Sequence, residues 1–571
     1  MAPEHKIVSS IHKIVSSIDI AGYERAAQIR PWLSLQTDAR TPDDGATTAL
    51  ELFSATPRDA PAIVYFNTTL DYGEIDRLSN GLASWLAARG VAAGDRIAII
   101  LQNVPQFIVA SVAAWKLVAI VVSLNPMYRQ RELEQLFIDC SPRVIICHDD
   151  HWPIVSAAAR GLVDPTLILW TNGREFQHRD DARVVPAPVE PEGGEPLSRA
   201  LGETSTLRSA KPSADDIGLL LYTSGTTGKP KGVMLTHRNL VHNALLCRDH
   251  FALSRKSRIF GVAPLFHITG FEIQMLAAFA AGASLVLTYR FHAAVALEAF
   301  LERKPTFIIG AITAFIALMN HPQATRTHFA SFDRLYSGGA PIAPAVIGAF
   351  AQRFGRAIRS SYGMTELTAP SHLAPATGAI PVDQKSGALS IGIPTPGVDA
   401  IIVDEFHHPL GAGDLGELVV RGPNVMAGYW NKPAETDEVL VQGWMHTGDV
   451  GFFDPAGWFY LVDRKKDMIS ASGFKVWPRE VEDVLYSFAG VREAAVVGVP
   501  DSYRGETVVA YVSAEPGMML DIVALSRFCR ERLAAYKCPT EIKLLPDLPK
   551  TATGKIIRNA LKLACGPAIE P

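Results

Sequence analysis

The chain has no excess of basic charge. Its 571 residues carry 54 Lys and Arg against 58 Asp and Glu, a formal charge of −4 with both signs scattered. Without a basic stripe there is no electrostatic footprint for nucleic acid, and none is expected as a partner. Cysteine is scarce: Cys140, Cys147, Cys247, Cys529, Cys538 and Cys565 have neither the paired spacing of a metal site nor the density of a secreted disulfide scaffold. They read as thiols in a reducing, cytoplasmic compartment. No apolar run is long enough for a comfortable bilayer span. The longest, 108–124, is interrupted by Trp115-Lys116 and reads as a buried helix followed by a strand over 119–122. Polar residues break every apolar run near the start, so no signal peptide is expected. No membrane anchor is expected, and at most peripheral membrane contact.

The length exceeds what one hydrophobic core usually organises, so at least two domains are expected. The heptad His5-Lys6-Ile7-Val8-Ser9-Ser10-Ile11 is repeated identically from His12 to Ile18. If helical, it puts Ile7, Ile11, Ile14 and Ile18 on one stripe, but two heptads are too few for a coiled coil. A short segment that frays or docks is expected there. From Leu70 onward helical and strand patterns alternate. Ile75, Leu78, Leu82, Trp85 and Leu86 mark one helical face, 96–101 follows as a buried strand, and 144–147 as another. That alternation predicts a layered α/β domain with substantially parallel sheets. Residues 186–212, rich in Pro, Glu, Gly and Ser, predict an irregular surface segment. After 258–267, which ends a strand, a largely apolar, alanine-rich helix is expected beyond Gly270.

The stretch 219–232, LLLYTSGTTGKPKG, runs from a buried strand into a loop suited to polyphosphate. Gly225, Gly228 and Gly232 allow close backbone approach. Thr223, Ser224, Thr226 and Thr227 offer hydroxyls, and Lys229 and Lys231 offer charge. It is not a Walker A loop, because Thr223 stands where the first glycine belongs and Pro230 where the magnesium-binding hydroxyl belongs. A kinase-like phosphotransferase is therefore disfavoured.

Tyr222 to Gly232 resembles the phosphate loop of the AMP-forming adenylating enzymes, which comprise acyl-CoA synthetases, amino-acid adenylation domains and beetle luciferases. The resemblance extends in order through SYGMTE at 361–366, WMHTGD at 444–449, DRKKD at 463–467 and PKTATGK at 549–555, and covers about Leu50 to Leu563. It implies an α/β chain with a large multi-layered N-terminal domain of substantially parallel sheets and a small mobile α+β C-terminal domain. The expected boundaries are 1–25 for an extension, 26–465 for the AMP- and acyl-binding domain, and 466–571 for the small domain.

A carboxylate is a poor acyl donor because its leaving group would be oxide. Attack on the α-phosphorus of ATP, with loss of pyrophosphate, gives it AMP as a better one. The transferring centre then needs hydroxyls, a lysine and a divalent cation to absorb negative charge. The resemblance implies that Thr365 contacts the α-phosphate, that Glu366 holds Mg2+, and that Gly338, Gly339, Ala340, Tyr362, Gly363 and Met364 form the adenine-binding segments. Asp449 and Arg464 fall where the family contacts ribose. Lys466 falls at the family's hinge, and Lys555 at its mobile catalytic lysine. Gly473, Phe474 and Lys475 match the segment presented to the channel of the acceptor CoA, while His267 and Gly310 fall on the acyl channel. A Thr-Glu pair alone would more often start a helix, and a lone histidine at a strand end is usually structural.

An amino-acid-activating relative usually has aspartate after the phenylalanine corresponding to Phe266, to hold the substrate ammonium. Here that position is His267, so an acyl-CoA synthetase taking a medium- or long-chain fatty acid is the expected function. An aryl-acid CoA ligase is the alternative, and a non-catalytic nucleotide-binding regulator the alternative of another class.

Overall fold

A computed structural model describes residues 20–36, 44–203, 210–224, 230–464, 467–471, 474–501, 505–551 and 555–563. Among these residues four sheets are formed. The helix Tyr72–Ala87 shows how the sequence pattern becomes structure. Asp71 caps it, accepting from the Glu74 amide at 2.7 Å while Glu74 reaches back to the Asp71 amide at 3.2 Å. Ile75, Leu78, Leu82, Trp85 and Leu86 form its buried face. The long apolar run divides into the wholly buried helix Pro105–Lys116, begun by proline in its first turn, and the strand Ile120–Ser123. Lys116 survives there because its ammonium donates to Asp76 Oδ1, Ser79 Oγ and Asn80 Oδ1 at 2.7–2.8 Å.

In one sheet, strands Ile217–Ser224, Ile120–Ser123, Arg96–Ile100, Val144–His148 and Ile168–Thr171 lie side by side in parallel. Their runs of branched apolar residues suit a sheet covered on both faces. A second sheet is parallel through Pro61–Tyr65, Ser284–Leu287, Arg258–Phe260, Phe307–Gly310, Arg334–Ser337 and Ile358–Met364. It ends in an antiparallel turn back to Ala369–Leu373. A third, antiparallel sheet contains Asp399–Val403, Gly416–Arg421, Trp444–Phe453 and Phe459–Arg464. The helix Ile20–Ala27 docks on it, burying Tyr23 edge-on against Trp444 and pairing Glu24 with Arg421. This helix runs across position 25/26; the duplicated heptad before it lies outside the described residues.

The small C-terminal part is built on the antiparallel hairpin Val491–Asp501 and Gly505–Ala514, and the outer edge of Gly505–Ala514 pairs with Ile469–Ala471, itself paired with Phe474–Val476, near Gly505 and with Glu541–Leu544, in parallel, further along. Helices Pro478–Tyr486 and Ile522–Arg532 complete an apolar core of its own, around Val481, Leu485, Val496 and Leu525.

Two expectations need correction. Within the segment expected to be irregular, Glu195–Pro196 joins the sheet beside Ile168–Thr171 and Leu197–Leu201 is helical, because Leu197, Ala200 and Leu201 find apolar cover. The expected helix beyond Gly270 is a π-helix over Thr269–Leu276 that tightens to α only at Ala277–Ala281. At its start Gly270 lies so close to Pro264 that a Cβ would sit 2.1 Å from the carbonyl oxygen. No helix among the described residues is long and apolar enough to cross a membrane.

Candidate active site

The strands of the two parallel sheets deliver their carboxyl ends to one cleft, the usual place for a ligand in open α/β sheets. Thr223 arrives at the end of Ile217–Ser224, and Lys231 returns on the paired strand Pro230–Thr236. Gly338 follows Arg334–Ser337, and its amide donates to Gly310 O at 3.3 Å. A Cβ on Gly338 would meet Ser361 O at 2.7 Å, and one on Gly363 would meet Ala369 O at 1.6 Å. These glycines let adjacent chain segments touch at the rim of the cleft. Gly363 lets Ile358–Met364 double back, and the tight turn Thr365–Leu367 is thereby presented to the cavity.

The cavity measures about 990 Å³, and Thr223, Lys231, Gly339, Thr365, Glu366 and Lys555 are on its wall. Gly338, Gly363, Met364 and His267 line it too. Thr365 and Glu366 are buried, and the turn carrying them is fixed by Met426 N donating to Glu366 O at 2.9 Å. Tyr429, which sequence reasoning missed, donates its hydroxyl to Glu366 Oε1 at 3.0 Å, and the Lys231 ammonium sits 4.8 Å from the centre of its ring. Burial first, and then the Glu366 charge, push the Tyr429 phenol well above its ordinary range, so it stays a donor. Nothing in the run Met426-Ala427-Gly428-Tyr429 announces this; only the pairing of Gly428–Tyr429 with Pro230–Thr236 brings the ring to Glu366.

Asp449 and Arg464, fifteen residues apart in sequence, are directly opposite each other across the strands Trp444–Phe453 and Phe459–Arg464. Tyr362 donates to Asp449 Oδ2 at 2.6 Å, so the adenine-segment tyrosine and the ribose-segment aspartate are joined. Tyr362, Ala340 and Asp449 are not among the residues that line the cavity. Gly310 is set back as well, packed so that a Cβ would lie 2.7 Å from Val262 Cγ1. Gly225, Thr226, Thr227, Gly228, Lys229, Lys466 and Gly473 lie outside the described residues, as do the side chains of Ser224, Arg464, Phe474 and Lys475.

A second cavity of about 830 Å³ shares Phe266, His267, Gly338, Gly339 and Lys555 with the first. It continues along one side of the helix Ile312–Asn320, where Ala311, Ala314 and Ala317 leave room. His267 stands at the junction. Its Nδ1 accepts the Thr269 amide at 3.3 Å, leaving any ring proton on Nε2. Burial, and next the charge of Lys555, depress its pKa to about 4, so near neutrality it is an uncharged donor. Lys555 enters from the C-terminal part on a hairpin. Thr551 N donates to Lys555 O at 2.7 Å, Lys555 N to Thr551 Oγ1 at 3.1 Å, and Ile557 N to Pro549 O at 2.8 Å. At the base of the hairpin Lys550 pairs with Glu493 at 3.0 Å.

The sequence profile of the AMP-binding enzyme family matches residues 50–430, and that of the AMP-binding enzyme C-terminal domain matches 480–555. The chain belongs to the AMP-binding enzyme family. This AMP-binding enzyme is 34% identical over 553 residues to a long-chain-fatty-acid–CoA ligase of Bacillus subtilis (strain 168), covering 93% of this chain and 97% of that one. It is also 34% identical over 510 residues to a feruloyl-CoA synthase of Amycolatopsis sp, covering 89% and 96%. Among solved structures, ATP-bound MatB from Rhodopseudomonas palustris is similar at a TM-score of 0.80, with 27% identity and coverage of 91% of this chain and 98% of that one. Apo MatB matches with a TM-score of 0.71. The arrangement of this AMP-binding enzyme is thus nearer to the ATP-bound form of that protein than to its apo form.

Proposed function

We propose that the protein is an AMP-forming acid–CoA ligase, activating a medium- or long-chain fatty acid with ATP and passing the acyl group to CoA. The observation that carries this reading is the meeting of the two cavities at His267, Gly338, Gly339 and Lys555. The first brings Thr223, Lys231, Thr365 and Glu366 together, which suits a nucleotide's phosphates, and the second has mixed walls, small and apolar along Ala311, Ala314 and Ala317 and charged at Arg129, Arg290 and Arg492. In the first step a carboxylate oxygen attacks the α-phosphorus and pyrophosphate leaves. Lys555 and the Thr365 hydroxyl stabilise the charge on the phosphoryl oxygens, and Lys231 and Thr223 hold the polyphosphate together with Ser224, Gly225, Thr226, Thr227, Gly228 and Lys229. Asp449 and Arg464 take the ribose, and Tyr362 and 338–340 the adenine. In the second step the sulfur of CoA attacks the acyl carbon, AMP leaves, and Gly473, Phe474 and Lys475 line the acceptor's path.

Glu366 and Thr365 offer hard oxygen donors, which fit Mg2+. No group of three or more His, Cys, Asp or Glu capable of holding a metal occurs among the described residues. That suits an ion held by one carboxylate and the substrate's phosphates better than a protein-only cage. When bound, the ion supplies charge neutralisation at the phosphates. Tyr429 orients the Glu366 carboxylate for it.

The small part, from 466 onward, is read as a unit that reorients about Lys466 between the two steps, and the extension before residue 26 as a dock for the large one. An uncharged His267 offers no counter-ion to a substrate ammonium, which favours acids without an α-amino group. An aryl acid is the second reading, favoured by the equal identity to a feruloyl-CoA synthase. The test is CoA-dependent AMP release with fatty acids of graded length, aryl acids and amino acids. Fatty acids of eight or more carbons are expected to give the highest kcat/KM. A higher value for benzoate or a cinnamate moves the assignment to the aryl ligases, and ADP in place of AMP removes it.

A further inference from the structure

The Lys555 hairpin ends in Arg558, whose guanidinium closes a compact acidic cluster. It bonds Glu482 Oε2 at 2.8 Å and Oε1 at 2.9 Å, and reaches Asp467 Oδ2 and Asp463 Oδ1, each at 3.3 Å. Glu482 also accepts the Val496 amide at 2.8 Å, which fixes it to the small sheet. These partners belong to different parts of the molecule. Asp467, Glu482 and Arg558 are in the C-terminal part. Asp463 is in the strand Phe459–Arg464, opposite Val450 in the third sheet. Its other oxygen accepts the Arg479 amide at 3.0 Å, and Arg479 Nη1 donates to Leu461 O at 3.0 Å. Only 4% of the Asp463 side chain is exposed, so the ion pair it makes is shielded from solvent.

We propose that Asp463 and Arg558 form a clasp that holds the Lys555 hairpin in the cleft, with Asp463 as a positioning residue for the adenylation step. The proposal rests on the reading that the two parts reorient about Lys466. In such a motion Arg558 keeps Glu482 and Asp467, which travel with it, and loses Asp463, which stays. Asp463 is thus the carboxylate of the cluster that tells one arrangement from the other. Without its charge Arg558 is still paired, so the C-terminal part keeps its fold, whereas the preference for placing Lys555 in the cleft weakens. A shielded pair of this kind is worth enough to tilt a two-state balance by about tenfold.

The test is Asp463→Asn in the full-length enzyme. ATP–pyrophosphate exchange is expected to fall about tenfold, while thioester formation from pre-made acyl-adenylate and CoA stays at the wild-type rate or rises. Hydrogen exchange of peptides covering 549–560, measured without substrates, should quicken, and that of 505–514 should not. Asp463→Glu, which keeps the charge, should restore pyrophosphate exchange to within about threefold, and Arg558→Lys should repeat the Asp463→Asn pattern more weakly. Equal loss in both half-reactions, unchanged hydrogen exchange at 549–560, or equal quickening in both regions overturns the clasp. If Asp463→Asn fails to fold, Arg558→Lys is judged by the same criteria. A wild-type enzyme that activates no acid defeats the functional reading, and hydrogen exchange then still decides the clasp.

Discussion

The large N-terminal part and the small C-terminal part differ in their buried titratable groups, although both bury ion pairs, Lys116 with Asp76 in the large part and Arg558 with Glu482 in the small one. All 16 histidines occur at or before His446. Burial holds His237, His242 and His250 at about pKa 4, neutral inside the large part, and lowers His267 likewise at the junction of the two cavities. The small part has no histidine and instead buries a charged cluster, where Glu482 and Asp467 surround Arg558 and Asp483 is pushed up to about 7 by burial. Apolar interiors resist rearrangement, because any shift opens a cavity. Ion pairs can exchange one partner for another or for water. If the two parts reorient as proposed, the exchangeable contacts lie where such a motion would break them.

The sharpest way to break that comparison is to remove the side chain of the small part that is proposed to act at the α-phosphate. Lys555→Ala should lower acyl-adenylate formation by at least a hundredfold, about 3 kcal/mol, and leave thioester formation from synthetic acyl-adenylate near normal. Paired half-reaction rates decide it, and an equal collapse of both in a folded variant would take Lys555 out of the mechanism. Next, Leu485→Ala empties a wholly buried site in the small core and should cost about 2–4 kcal/mol there. Calorimetry should show the transition of the small part moving down while that of the large part stays put. One transition moving as a whole would mean that the two parts unfold together.

Acid should separate the parts by sign. The buried histidines are neutral when folded and protonate near 6.5 when unfolded, so they cost the large part stability as pH falls from about 6.5 towards 4, against the opposite contribution of Glu272, whose carboxyl burial holds well above its usual range. Asp483 takes up its proton at about 7 when folded and 3.8 when unfolded, so over that interval it makes the small part more stable as pH falls. Transitions at pH 7 and 5 that shift in the same direction contradict this. The smallest effect is expected from Ala314→Trp, which narrows the second cavity along the helix Ile312–Asn320. Long-chain acids should lose about tenfold in kcat/KM relative to short ones, and a change in the KM for CoA alone would assign that cavity to the acceptor.

The alternation of strands and helices was legible because buried parallel strands are short apolar runs and amphipathic helices repeat every three to four residues. Thr365, Glu366, Lys231, His267 and Lys555 were legible as motif members, and the structure brings them to one cleft. What the sequence hid was set by distant pairings. Tyr222 donates to Asp139 at 2.5 Å from 83 residues away. Tyr429 reaches Glu366 through a two-residue strand, and Arg558 finds Asp463 95 residues earlier in the chain. The π-helix was hidden for another reason. Its Ala-rich continuation has ordinary helix propensity, and nothing in the local pattern marks the wider turn at Thr269–Leu276.

The shared threshold between the two cavities has a practical consequence. A molecule in either one abuts the place where the other begins, so an acyl chain and an adenosine moiety joined by an uncleavable linker would pay for orientation once. The second half would then bind at an effective concentration in the millimolar range or above. Such a two-headed inhibitor should outbind either half by several powers of ten, and the chain length that maximises its affinity would measure the depth of the acyl cavity without any turnover.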